Sequence, residues 1–202
     1  MIDLKMVLKN WSQKLIHLPE NTGKIPEEMV ESRWLGYPGA TEAELDQNER
    51  RIGKSLPKSY REFLRITNGF LDFGNSTGEI WPVQKIGYFA QEHNADYIEP
   101  WLKGYYFYGR PNHIADEVYL KYGDENNLFS TLLREEYLLK TIQISELGDS
   151  SAVYLLNPEI VDPDGEWEAW YFEPELGLRR YQSFIHLIEG EYKWFLRSNG
   201  IL

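Results

Sequence analysis

A chain of 202 residues, 42% hydrophobic and 15% aromatic, has the material for one packed domain and excludes a disordered chain. At this length roughly 70% of the unfolded surface can be buried without a staple, and the lack of cysteine excludes disulfides, thiol catalysis and zinc–thiolate sites. The net charge of −11 is uneven: residues 1–70 hold 11 Lys/Arg and 10 Asp/Glu, residues 71–202 hold 10 and 22, so the later part carries −12. That field repels nucleic acid and anionic membrane and speeds encounter with a basic partner.

The chain opens on a polar segment without a signal-peptide pattern, and no apolar run approaches the ~18 residues of a membrane span. A cytoplasmic protein is expected. Asp3 can cap a first helix whose Leu4, Val7, Leu8, Trp11 and Leu15 share one face, and Pro19 stops it. Residues 20–40 read as a polar connector carrying Trp34, Leu35 and Tyr37 over the core.

The stretch 40–70 is the most legible. Thr41 followed by Glu44 makes a capping box, Leu45 and Ile52 share a face, and Gly53 stops the helix. Pro57 opens a second helix in which Tyr60, Phe63, Leu64 and Thr67 form one apolar stripe, and Asn68-Gly69 ends it in left-handed geometry. Short strand-like pieces follow between 70 and 86, then a short helix within 88–99 with Phe89 and Ala90 inward. Residues 101–108, WLKGYYFY, are dense in aromatic side chains that read as core or strand ahead of a ligand platform. The acidic, turn-rich segment beyond them makes 100–135 a variable insertion, with a short helix over 131–139.

Three strand candidates come next. Residues 141–144 alternate, 152–156 are apolar and end at Asn157-Pro158, and Asp162-Pro163-Asp164-Gly165 turns the chain into 166–172. Period-2 alternation places Glu166, Glu168 and Trp170 on one face of that strand and Trp167, Ala169 and Tyr171 on the other, which predicts two carboxylates aimed at solvent or a partner. Ser183 caps a last helix with Phe184, Leu187, Ile188 and Phe195 or Trp194 inward, and Gly190 weakens it. Helices first, antiparallel strands late and a closing helix make the class α+β.

Chemistry-bearing motifs are scarce. His17, His93, His113 and His186 have no metal-ligand spacing, and there is no phosphate loop or nucleophile elbow. The Asp162, Asp164 and Gly165 run is a turn ahead of a calcium loop. No catalytic residue, metal or cofactor is assigned. The basic residues among 50–65 are offset by neighbouring acids and read as a solvated helical face, not a nucleic-acid site.

Two blocks carry a family resemblance. Pro38-Gly39-Ala40-Thr41 with Glu42 and Glu44, Leu56-Pro57, Tyr60, Phe63-Leu64 and Asn68-Gly69 form the first; Leu155-Leu156-Asn157-Pro158, Gly165 to Trp170, Arg180-Tyr181 and Ser183-Phe184 form the second. In that order they resemble the SUKH superfamily, which includes the Smi/Knr regulators and bacterial immunity proteins. The resemblance covers about 34–194 and implies a non-catalytic α+β domain, a mainly antiparallel or mixed sheet braced by N-terminal helices and a C-terminal helix. Residues 1–33 are then an N-terminal helical extension of one domain spanning 1–202. Thr41, Glu44, Pro57, Tyr60, Phe63, Leu64, Asn68 and Gly69 are its scaffold.

What the resemblance and the charge jointly imply is an immunity protein that neutralises a toxin domain, a basic nuclease favoured, with no nucleic acid or membrane as partner. The alternative is a regulatory adaptor of the Smi/Knr type. Candidate partner-binding residues are Asp162, Asp164, Glu166, Glu168, Asp116, Glu117, Asp124 and Glu125, with Trp101, Tyr105 and Tyr108 as aromatic anchors. Charge reversal at Glu166 or Glu168 is expected to slow association and spare the fold. Phe63→Ala, by contrast, should cost about 3–5 kcal/mol in denaturant unfolding through a core cavity.

Overall fold

The computed structural model describes residues 3–71, 77–93, 98–103, 114–122, 133–148 and 150–202. Helix α1, Leu4–Ile16, is capped by the Asp3 carboxylate, which accepts the Met6 N–H at 3.0 Å. It buries Leu4, Leu8, Trp11 and Leu15. Ser12 joins that face because its hydroxyl donates to the Leu8 carbonyl and accepts the Leu35 N–H. The segment read as a bare connector holds a 3-10 turn, Pro19–Asn21, and helix α2, Glu27–Ser32, closed by Arg33 in the left-handed region.

Helix α3, Glu42–Ile52, has the expected capping box and ends on Gly53 at φ 77°. Helix α4, Lys58–Ile66, buries Tyr60, Phe63 and Leu64. Two details differ from expectation. Pro57 is the N-cap, not the first helical residue, and the helix stops at Thr67, which turns extended. Of the two, Gly69 takes the positive φ, 105°, and Asn68 does not; the Asn68 side chain accepts the Val83 N–H and donates to Gln84.

Between 70 and 86 the expected strands shrink to isolated bridges, Phe70 with Gly36 and Ile80, and Ile80 with Ser145. Strand β1, Gly87–Tyr88, leads into α5, Phe89–His93; α6, Glu99–Leu102, α7, Asp116–Tyr119, and α8, Glu135–Leu138, follow. Strands β2, Ile142–Gln143, β3, Val153–Val161, β4, Trp167–Glu173, and β5, Gly177–Tyr181, complete a five-stranded antiparallel sheet in sequence order. Helix α9, Phe184–Ser198, closes the chain. The fold is therefore α+β.

Strand β3 does not end at Asn157-Pro158. Its register shifts between Asn157, opposite Glu168, and Val161, opposite Trp167. A proline fits there because an irregular stretch asks no ladder N–H of it.

The sheet is covered on both faces. On the inner face Tyr154, Leu156, Ala169 and Tyr171 pack with α1, α3, α4 and α9. There Phe184 of α9 meets Tyr60 and Phe63 edge-on, at 4.9 and 5.1 Å between ring centroids. On the outer face Val153, Leu155, Trp170, Phe172 and Leu178 pack with Phe89, Ile98, Leu133 and Leu138. Double burial explains why residues 153–156 of β3 and 169–172 of β4 read as continuous apolar runs.

Gly190 is a close-packing point, not a weakness. A Cβ there would drive into the Tyr181 ring. Gly190→Ala should lower stability by about 1–3 kcal/mol through overpacking, although helix propensity alone favours alanine by about 1 kcal/mol. An unchanged or higher urea midpoint would show that the Tyr181 ring moves aside freely.

Candidate functional site

The predicted acidic residues fall into three situations. At the β3–β4 hairpin, Asp162 is spent on the turn itself: one carboxylate oxygen accepts the N–H groups of Asp164 and Glu166, each at 2.9 Å. Gly165 supplies the positive φ, 83°, that closes it. Asp164 projects from the tip, exposed. Glu166 reaches across to α4 and accepts the Ser59 N–H at 2.9 Å and the Ser59 hydroxyl at 2.5 Å. Pro57 offers no side-chain cap, so a carboxylate from a distant strand satisfies the helix N-terminus and meets its positive dipole end. Glu166 is thus a brace between hairpin and helix, and its expected neutrality to charge reversal is corrected.

Glu168 requires a larger correction. It is fully buried. One oxygen accepts from Arg180 Nε at 2.7 Å and lies 2.6 Å from Nη2; the other accepts from Asn157 Nδ2 at 2.8 Å and the Tyr119 hydroxyl at 3.1 Å. The face assignment from periodicity is right, with Glu168 and Trp170 together, but α7 and its neighbours cover that face. Arg180 in turn stacks on the Tyr119 ring at 3.5 Å. Burial first, then the Glu168 charge, pushes the Tyr119 phenol far above its ordinary value.

On the opposite face Arg179 pairs with Glu191 of α9 at 2.7 Å. Glu191 also accepts the hydroxyls of Tyr181, at 2.6 Å, and Tyr154, at 3.3 Å. The Arg179 guanidinium lies over the Tyr171 ring at 3.9 Å. Arg179, Glu191 and Tyr119 were not picked out from sequence, and Asn157 and Arg180 entered only as part of the family resemblance, without a role. The signal was two adjacent arginines in a strand-like run, which period 2 sends to opposite faces, each in need of a carboxylate.

The third situation is the surface of α7. Asp116 is exposed and touches Arg134 at 2.5 Å. Glu117 is exposed beside Val118 and Leu120, two apolar residues that are nearly half exposed. Arg134 ties α7 to α8: it donates to the Ile114 carbonyl and to the Tyr137 hydroxyl. Asp124, Glu125, Tyr105, Tyr108 and the Trp101 side chain lie outside the described residues.

Chemically, the arrangement is suited to holding and docking. Glu168 and Glu191 sit on opposite faces of the sheet with their oxygens filled by donors, so they do not form an acid–base pair across a cleft. Among the described residues no group of three or more His, Asp or Glu side chains could hold a metal ion, and no helix is long and apolar enough to cross a membrane.

Residues 39–190 match the SMI1 / KNR4 family (SUKH-1). The chain belongs to this family. The match takes in the capping box, α4, the sheet and the first half of α9, so the buried Glu168–Arg180 pair lies inside it, while Glu191, the partner of Arg179, falls just beyond its end, and α1 and α2 precede it. No curated protein matches the chain. Membership agrees with either an immunity or a Smi/Knr-type regulatory role, and with a protein as the partner.

Glu168→Gln should cost about 3–5 kcal/mol, because it leaves Arg180 buried without its counter-charge. Urea unfolding checks this. A loss below about 1 kcal/mol, typical of an exposed pair, would mean that water reaches the pair.

Proposed function

We propose that the protein is a non-catalytic immunity protein of the cytoplasm that binds and neutralises a cognate toxin domain, with a basic nuclease-type domain as the favoured target. Membership of the SUKH-1 family carries the reading, and the −12 balance beyond residue 70 supports its direction. An acidic binder mimics the phosphate charge that a nuclease cleft accepts, which gives fast and specific association. The buried network removes Glu168 and Glu191 from that surface, and Glu166 is committed to α4. Of the predicted carboxylates within the described residues, those left for a partner are Asp116 and Glu117 on α7 and Asp164 at the hairpin tip, with Val118 and Leu120 as apolar contacts beside the first two. The family description, SMI1 / KNR4, favours a second reading, an adaptor that docks on endogenous regulatory proteins.

Coexpression with the toxin domain encoded beside its gene should protect cells and yield a stoichiometric complex. Asp116→Lys with Glu117→Lys should keep the unfolding midpoint and slow association by roughly tenfold, most at low salt. No protection by the unaltered protein sinks the immunity reading. Protection with an unchanged association rate for the double variant moves the interface away from α7.

A further inference from the structure

A second surface lies on the helical side of the molecule, away from the outer face of the sheet. Lys5, Trp34, Gly36, Tyr37, Pro38 and Ile66 line a groove of about 500 Å³, within the size range of ligand sites. Its floor is an extended strip. The Leu35 carbonyl accepts from Leu71, the Tyr37 N–H donates to Gly69, and the Pro38 carbonyl accepts from Asn68. Gly36 sits between these bonds in a bridge to Phe70, so its own N–H and C=O point away from the paired side. Among the described residues nothing takes the Gly36 N–H or the Trp34 indole N–H.

The walls pack against the core through Trp34, Tyr37 and Ile66. The Trp34 ring stands edge-on to Phe70 at 5.7 Å. Any side chain at Gly36 would collide with that ring and with the Thr67 hydroxyl. Burial first, and then the neighbouring Glu79 carboxylate, push the Tyr37 phenol up to about 12. No Lys or Arg among the described residues pairs with Glu79, whereas neighbouring Glu146 is paired with Lys85. Glu79 therefore gives the groove an acidic neighbour beside Tyr37, and Lys5 is the one cation among its lining residues.

We propose that this groove docks an extended, proline-containing segment of another protein, with a Lys or Arg beside the prolines directed to Glu79. Flat aromatic and prolyl walls suit proline rings. The two unengaged N–H donors suit a chain with carbonyls to offer and few N–H groups of its own. A preformed polyproline II segment loses little entropy on docking. This surface is separate from the acidic face of α7 and concerns a different kind of contact.

The test is a titration of the ¹⁵N-labelled full chain with the peptide Ala-Pro-Pro-Leu-Pro-Pro-Arg, with proline-to-alanine and Arg-to-Glu versions as controls. Saturable shifts at the Trp34 indole and the Gly36 amide are expected, with both control peptides roughly tenfold weaker. Trp34→Phe keeps a ring against Phe70 and loses the donor; it should weaken binding roughly three- to tenfold, the worth of one hydrogen bond. Glu79→Gln should abolish the preference for Arg over Glu and leave the unfolding midpoint in place. No saturable shift, equal binding of the alanine peptide, or full affinity in Trp34→Phe would each overturn the proposal. Toxin protection is not read out here, so failure of one proposal leaves the other standing.

Discussion

Two adjacent arginines on β5 set the terms for the rest of the fold. Arg179 and Arg180 occupy neighbouring positions, so the pleat sends one guanidinium to each face of the sheet, and both are buried. A buried cation is tolerable only with a counter-charge and filled hydrogen bonds. Glu191 meets the first from α9 and Glu168 meets the second from β4. Each pair recruits tyrosine hydroxyls and rings from a different layer, Tyr154, Tyr171 and Tyr181 inside, Tyr119 outside. The arginines thereby lock the closing helix to one face and the covering segment to the other. Hydrophobic contact alone would hold those layers with less definition of register, since apolar packing is not directional.

The same economy decides which acids face outward. A carboxylate that already accepts three or four bonds has nothing to give a partner, and Glu168 and Glu191 are of this kind. Glu166 lies between, half-buried and engaged with Ser59. The covering layer works differently. α7 inserts Tyr119 and leaves Asp116, Glu117, Val118 and Leu120 outside. A four-residue helix of this sort has little stability of its own; its position depends on the Tyr119 contacts and on Arg134. Its outward residues touch no core.

What was legible in the sequence was local. The capping box, the Gly53 stop, the Tyr60–Phe63–Leu64 stripe, the Asp162–Gly165 turn and the Ser183 cap each follow from residues a few positions apart, because the bonds concerned are short-range. Misreadings arose where a distant segment intervened. Alternation placed Glu168 and Trp170 on one face correctly, but periodicity is silent on whether a face is covered, and the cover comes from elements some 50 residues upstream by the numbering of Tyr119 and Glu168. Gly190 looked like a helix flaw since the Tyr181 ring that demands it belongs to another element. Asn157-Pro158 looked like a strand end because a register shift leaves no mark beyond the proline itself.

A division of labour follows from these placements. Charges that cross the interior specify how layers dock, and each of the two buried arginines meets a carboxylate. Charges on the covering layer and at the hairpin tip cost the fold little to change, because exposed pairs contribute about 0–1 kcal/mol. A scaffold arranged so can vary these outward residues while Tyr119, Leu133 and Leu138 keep the cover in place. The proposed binding role would use that property: specificity carried by side chains whose replacement does not threaten the core, on a layer whose attachment is set by buried side chains. Net charge adds to it. With two acids buried against two arginines, burial leaves the overall acidity of −11 unchanged, so the long-range field survives even though the inward-facing carboxylates are unavailable for contact.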